Sequence, residues 1–188
     1  GGVPVGAFRS LDDYLSPYPV HIDTMMNVPL LFMGWDICGR PASGPCRVLY
    51  EHGVEHASTV LHQNVRADHG TYHVIQFNDG TEGTPKDGHV HAKITDQGFA
   101  NESTWSRGQA WALYGFAEVY RYTKGDLTVS PERFLLAAMR TADYFIDHLP
   151  NNFDADPVNH RIGDFVPPND FDAALGEPAG PWNDANGD

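Results

Sequence analysis

The chain has 188 residues, 41% of them hydrophobic, and 25 acidic residues against 12 basic ones give a formal charge of −13. This is ordinary globular usage, which excludes a disordered chain, and the length suits one domain. The acidity excludes the basic footprint a nucleic-acid binder needs, and no run approaches the ~18 apolar residues of a membrane span, so neither partner is expected. Two cysteines, Cys38 and Cys46, make neither a disulfide scaffold nor a complete cysteine zinc site. Free thiols are favoured over a single bridge closing the loop between them.

In chain order, a first helix is expected from Asn27 to Ile37, with Asn27 as cap and Pro29 in the first turn. A second is expected from Cys46 to His62. Tyr72-His73-Val74-Ile75-Gln76-Phe77 is the best strand candidate, followed by a Gly- and charge-rich loop to Asp96. A third helix should run from Ser103 to Tyr122, stopped by Lys124-Gly125. The clearest helix spans Ser130 to Leu149: Ser130 caps, Pro131 opens, and Phe134, Ala138, Ala142, Phe145 and Leu149 recur at helical spacing before Pro150. From Asn151 onward the composition reads as ordered loop. The pattern is a mostly α domain whose loops carry the chemistry.

The chain opens Gly1-Gly2-Val3 and closes at Asp188 without a helix cap. That reads as a chain processed at both ends or a piece of a longer protein, and leaves the compartment open.

The third helix holds Trp105-Ser106-Arg107-Gly108-Gln109-Ala110-Trp111. Trp105, Gln109, Ala112 and Phe116 form one stripe, while Arg107, Trp111, Tyr114 and Glu118 form a roughly opposite one, so burial on both faces is expected. Arg107 and Trp111, four apart, suit an anionic sugar: guanidinium on carboxylate, indole on ring. On the residues alone, a buried Arg paired with a core carboxylate is the favoured reading. Asp23 sits among apolar residues before a helix. It reads first as an acid complementing the helix dipole, or else as a general acid whose pKa is raised by neighbouring Met side chains. Of ten histidines, His52 and His56 stand at helical spacing and His89 and His91 at strand spacing. Surface positions are favoured over a metal site, and no cofactor is expected. Asn101 is expected to cap the third helix.

Asp23-Thr24-Met25-Met26-Asn27 with Pro29-Leu30-Leu31-Phe32, then Tyr72-His73-Val74, then Gln97-Gly98-Phe99 leading into Trp105 to Trp111, resemble the unsaturated glucuronyl hydrolases of glycoside hydrolase family 88. The resemblance runs from Gly6 to Asp184 and includes Val166-Pro167-Pro168-Asn169-Asp170-Phe171-Asp172-Ala173. It implies an all-α (α/α)6 barrel, of which this chain covers about half, with 1–188 forming part of one catalytic domain whose N-terminal part is missing. It implies a glycosidase that releases unsaturated glucuronic acid from lyase-generated oligosaccharides by hydrating the C4=C5 bond. Asp23 then matches the acid/base aspartate, and His73, Gln97, Arg107 and Trp111 match residues binding the unsaturated sugar.

The sequence also departs from the family. The family's second aspartate, in an upstream His-Asp motif, is not contained in the chain. Twelve helices need about twice this length, and the fragment alone is expected to be inactive. Trp is usual near Leu11, His at Asp96 and Trp at Asn169, and the loop from Asn78 to Asp96 is longer than usual. Three alternatives stand beside this reading: an unsaturated rhamnogalacturonyl hydrolase, disfavoured by Gln109-Ala110 and by Met25-Met26-Asn27, a non-catalytic oligosaccharide-binding domain, and a helical scaffold with no sugar site.

Overall fold

Among the described residues, four helical segments, the first apolar on all faces and the other three amphipathic, and three short extended ones bring distant loops to one end of the molecule. The computed structural model describes residues 6–10, 17–81, 83–149 and 167–173. Its helices are α1 (Thr24–Ile37), α2 (Arg47–Gln63), α3 (Ser106–Thr123) and α4 (Glu132–Asp147), with a 3-10 turn at Leu127–Val129 before α4. The strands are β1 (Tyr18–His21), β2 (Val74–Phe77) and β3 (Val90–Ile94). They form an antiparallel sheet in the order β1-β2-β3. Among the described residues no helix is long and apolar enough to cross a membrane.

The helical expectation is met by the four long helices, and the sheet is the departure from an all-α fold. β1 carries Pro19, which cannot donate a ladder hydrogen bond and is tolerated because β1 is an edge strand. β3 is largely exposed and lacks clean alternation. The register places His21 opposite Val74, and Val74 opposite Ile94. The exit of β1, the entry of β2 and the exit of β3 therefore share one edge. Chain direction does this: in an antiparallel sheet, alternate strands begin where their neighbours end.

α1 packs on α2 and α3, and α3 packs on α4. Met25, Val28 and Phe32 of α1 meet Ala112, Phe116 and Val119 of α3 in one core with Tyr50, Ala57 and Val60 of α2 and Phe134 and Ala138 of α4. The α1–α3 crossing is close. A Cβ at Gly115 would stand 2.7 Å from both the Cβ and the carbonyl oxygen of Met25.

Several local expectations are corrected. α1 starts at Thr24 rather than Asn27, because Met25 is fully buried and its amide bonds the Ile22 carbonyl straight off β1, at 3.0 Å. Pro29 thus lies inside the helix. Ser130 adopts φ +49° and Pro131 occupies the cap position of α4. The buried stripe of α4 runs through Phe134, Ala137, Ala138, Thr141 and Tyr144, not through Ala142, Phe145 and Leu149. Only one stripe of α3 is buried, since Arg107 and Tyr114 are exposed. Cys38 and Cys46 are joined in a disulfide that closes the α1–α2 connection, against the expected free thiols. The stretch from Asn151 to Val166 lies outside the described residues, so its reading as ordered loop is carried no further.

Candidate active site

The shared sheet edge delivers the site. Two residues after β1 the chain reaches Asp23 at the N-terminus of α1, His73 directly precedes β2, and Asp96 and Gln97 follow β3. Arg107 joins them from the first turn of α3. Four of the five residues singled out in the sequence are thereby linked in a chain of contacts.

His73 is buried, and its Nδ1 accepts from the backbone amides of Asp96 at 3.1 Å and Gln97 at 3.3 Å. The Thr95 hydroxyl lies 3.2 Å from the same atom. Two N–H groups aimed at Nδ1 assign the ring proton to Nε2. That Nε2 faces Asp23 Oδ2 at 3.4 Å, a long contact between two atoms that meet no other partner among the described residues. The Asp23 side chain is 39% exposed and makes no capping bond to α1, so its oxygens are turned toward the imidazole and solvent. Burial pushes the Asp23 carboxyl up, but the His73 imidazole opposite, by hydrogen bonding and then by charge, outweighs this and holds it below its ordinary value. Of these, the hydrogen bond is what a ring with Nδ1 as acceptor supplies. The expected rise from neighbouring Met side chains is therefore corrected: Met26 is exposed, and the carboxyl looks at a histidine instead.

Arg107 is exposed, donates to Gln97 Oε1 and lies with its guanidinium carbon 4.4 Å from the Trp105 ring centroid. Among the described residues no carboxylate pairs with it. This overturns the buried-pair reading and leaves a cation open to an anionic ligand. Trp111 sits one turn further along α3, half-buried against the core, and among the described residues no hydrogen bond or ring contact joins it to the other four.

Sequence reasoning missed three supports. Trp105 is buried and packs its ring on His73, with centroids 4.5 Å apart, fixing the imidazole from behind. His21 Nε2 lies 2.8 Å from Asp96 Oδ2 and its ring meets His73 edge-on, and this pair lowers the Asp96 carboxyl. Asp170 is buried and accepts from the Phe99 amide at 2.8 Å and the Ser103 hydroxyl at 2.6 Å, bracing the loop that carries Gln97. Only the Asp in Asn169-Asp170-Phe171 hinted at this, as part of the quoted motif. Asn101 does not cap α3, since its side chain accepts from the Thr95 amide at 3.0 Å.

His21, His73 and Asp96 each offer an atom within 4.8 Å of the others, a spacing a metal could use. The donor set fits poorly: His73 commits its Nδ1 lone pair to two amides and presents N–H, not a lone pair, at Nε2. Of the histidines at helical and strand spacing, His52 is exposed while His56 is buried, and His89 Nδ1 lies 3.3 Å from Asp87 Oδ2. His56 is thus corrected from a surface to a core histidine.

A histidine-backed carboxylate is linked through His73 and Gln97 to an exposed guanidinium, all on loops and helix N-termini, a set of groups whose chemistry is to exchange a proton and to hold an anion. No protein-family model matches the chain. An unsaturated glucuronyl hydrolase of Formosa agariphila is 37% identical over 131 residues, which is 70% of this chain and 28% of that protein. The unsaturated glucuronyl hydrolase of Bacillus sp. strain GL1 is 33% identical over 132 residues, 70% of this chain and 30% of the relative. Among solved structures, an unsaturated glucuronyl hydrolase specific for heparin superposes with a TM-score of 0.69 at 30% identity, covering 90% of this chain and 38% of that one. The structure of the Bacillus sp. GL1 enzyme gives 0.62 at 29% identity, over 79% of this chain and 35% of its own. The chain is a homologue of the unsaturated glucuronyl hydrolases, and it spans less than a third of the length of the curated relatives it matches.

Proposed function

We propose that this chain contributes the acid–base half of an (α/α)6 glycoside hydrolase domain that releases unsaturated glucuronic acid from lyase-generated oligosaccharides. The observation that carries the reading is the Asp23–His73 pair at one sheet edge, linked through Gln97 to the uncompensated Arg107. In this arrangement α1 and α3 are inner helices that present their N-termini to the substrate, and α2 and α4 lie outside.

Asp23 delivers a proton to C4 of the enol ether, which creates oxocarbenium character at C5 and the ring oxygen. The same carboxylate then takes a proton from water as the water adds at C5, and the resulting hemiketal opens to release the remaining saccharide. Held low by His73, Asp23 is an anion in the free chain, the form that activates water. Bringing a uronate carboxylate nearby raises its pKa by like-charge repulsion, supplying the protonated form the first step needs. Arg107 grips the uronate, while Gln97 and His73 supply directional hydrogen bonds and Trp111 a ring platform. Local donors must overcome the repulsion of a chain carrying −13.

Calorimetric titration of the chain with an unsaturated glucuronyl disaccharide tests the site. Binding that survives Asp23→Asn and is lost in Arg107→Ala is expected. Equal affinity of both variants for the disaccharide overturns the assignment of Arg107 as its anchor.

A further inference from the structure

The chain gathers cationic side chains in a second place. A cavity of about 280 Å³ opens between the C-terminal end of α2 and α4, with Arg66, Arg133, Arg140 and His69 on its walls and apolar patches from Leu61 and Leu136. No acidic residue lines it among the described residues, although acids outnumber bases two to one in the whole chain.

The three guanidiniums are not equivalent. Arg66 is committed: it donates to the carbonyls of Glu102 at 2.8 Å and Ser103 at 3.1 Å, to the Thr104 hydroxyl, and to Asp68 at 3.2 Å. Gly70 leaves room for it, since a Cβ there would collide with the guanidinium. Arg133 donates to the neutral Ser58 hydroxyl at 2.7 Å, while its Nε is buried and meets no acceptor among the described residues. Arg140 is exposed, two turns along α4, and has no partner among the described residues. The Arg133 guanidinium, held over the Phe134 ring at 4.5 Å, and the exposed Arg140 guanidinium on the same wall give a ligand two charge-assisted anchors through the N–H groups that face the cleft.

We infer that this cleft binds an oxyanion, a sulfate or phosphate group carried on a larger molecule, with Arg133 and Arg140 as its ligands. The cavity is larger than a bare inorganic anion needs and approaches the ~300 Å³ at which small-molecule sites begin. The apolar patches of Leu61 and Leu136 then cover the carbon frame that carries the anion. The site is built on α2 and α4, whereas the Asp23 site is built on α1, α3 and the sheet edge, so the inference stands apart from the proposed hydrolase function.

Calorimetric titration at fixed ionic strength separates the two sources of the anion. The probes are a saturated sulfated disaccharide, which lacks the enol ether, a phosphorylated monosaccharide, and inorganic sulfate and phosphate. Binding of at least one organic probe is expected, weakened about tenfold or more by Arg140→Glu and by Arg133→Gln. The tighter organic probe identifies the source. Arg140 is exposed, so Arg140→Glu is expected to fold as the wild type does and a lost signal there reports the cleft. Equal affinity of wild type and Arg140→Glu, or no binding of any probe beyond matched chloride, overturns the inference. Loss of binding in Arg107→Ala overturns it too, by moving the anion to the other site.

Discussion

His56 lies in the middle of α2 with its ring wholly buried, its Nδ1 accepting the Phe8 amide at 3.1 Å and its Nε2 without a partner among the described residues. Burial lowers its pKa to about 4. The unfolded chain therefore takes up a proton below about pH 6.5 that the folded chain refuses, so stability is full above that pH and falls as pH drops toward 4. From pH 7 to 5 the loss is about 2 kcal/mol, and His56→Leu is expected to remove that slope in chemical denaturation; an unchanged slope contradicts the assignment. At the proposed site, Arg107 is exposed, donates to Gln97 and lies over the Trp105 ring. Arg107→Lys should leave the melting temperature unchanged while weakening uronate binding by roughly tenfold, because an ammonium cannot form the two-pronged contact. None of these pairings was legible locally. His21 and Asp96 meet across 75 residues of sequence, and His73 and Asp23 across 50, so only the resemblance pointed to the second pair.

Helices were the readable elements, and their ends were not. α2 agrees with its periodicity to within one residue, since an amphipathic face repeats many times along its length. The start of α1 was misplaced by three residues because burial of Met25, a tertiary effect, outweighs the Asn27 capping signal. β1 was hidden by Pro19 and β3 by its Gly- and charge-rich setting, and the sheet that assembles the site went unseen with them. Two predictions belong to this scale. Gly115→Ala forces α1 and α3 apart at Met25 and should cost about 1–3 kcal/mol in denaturant titration, the usual penalty for overpacking; a neutral result would mean the crossing can relax. Reducing the Cys38–Cys46 disulfide frees a short loop and should lower stability by about 2–3 kcal/mol, read as a lower melting temperature in reductant.

At the scale of the molecule, three strand ends and two helix N-termini converge, and the residues at that convergence have complementary tasks. A carboxylate is oriented by a histidine whose tautomer is set by backbone amides, a buried indole backs the histidine, and a guanidinium stands open to an anion. Asp170, from a segment some 70 residues away, braces the loop between them, so the site depends on the chain closing back on itself. The homology covers under a third of the curated relatives it matches. Turnover is therefore best sought in the longest reading frame that contains this chain. The most direct measurement follows the ultraviolet absorbance of the C4=C5 bond in an unsaturated glucuronyl disaccharide, with Asp23→Asn alongside. The account predicts absorbance that decays with the parent and stays level with the variant. A folded parent that leaves the absorbance level, or a variant that consumes it at the parent's rate, would contradict Asp23 as the acid and base of this site.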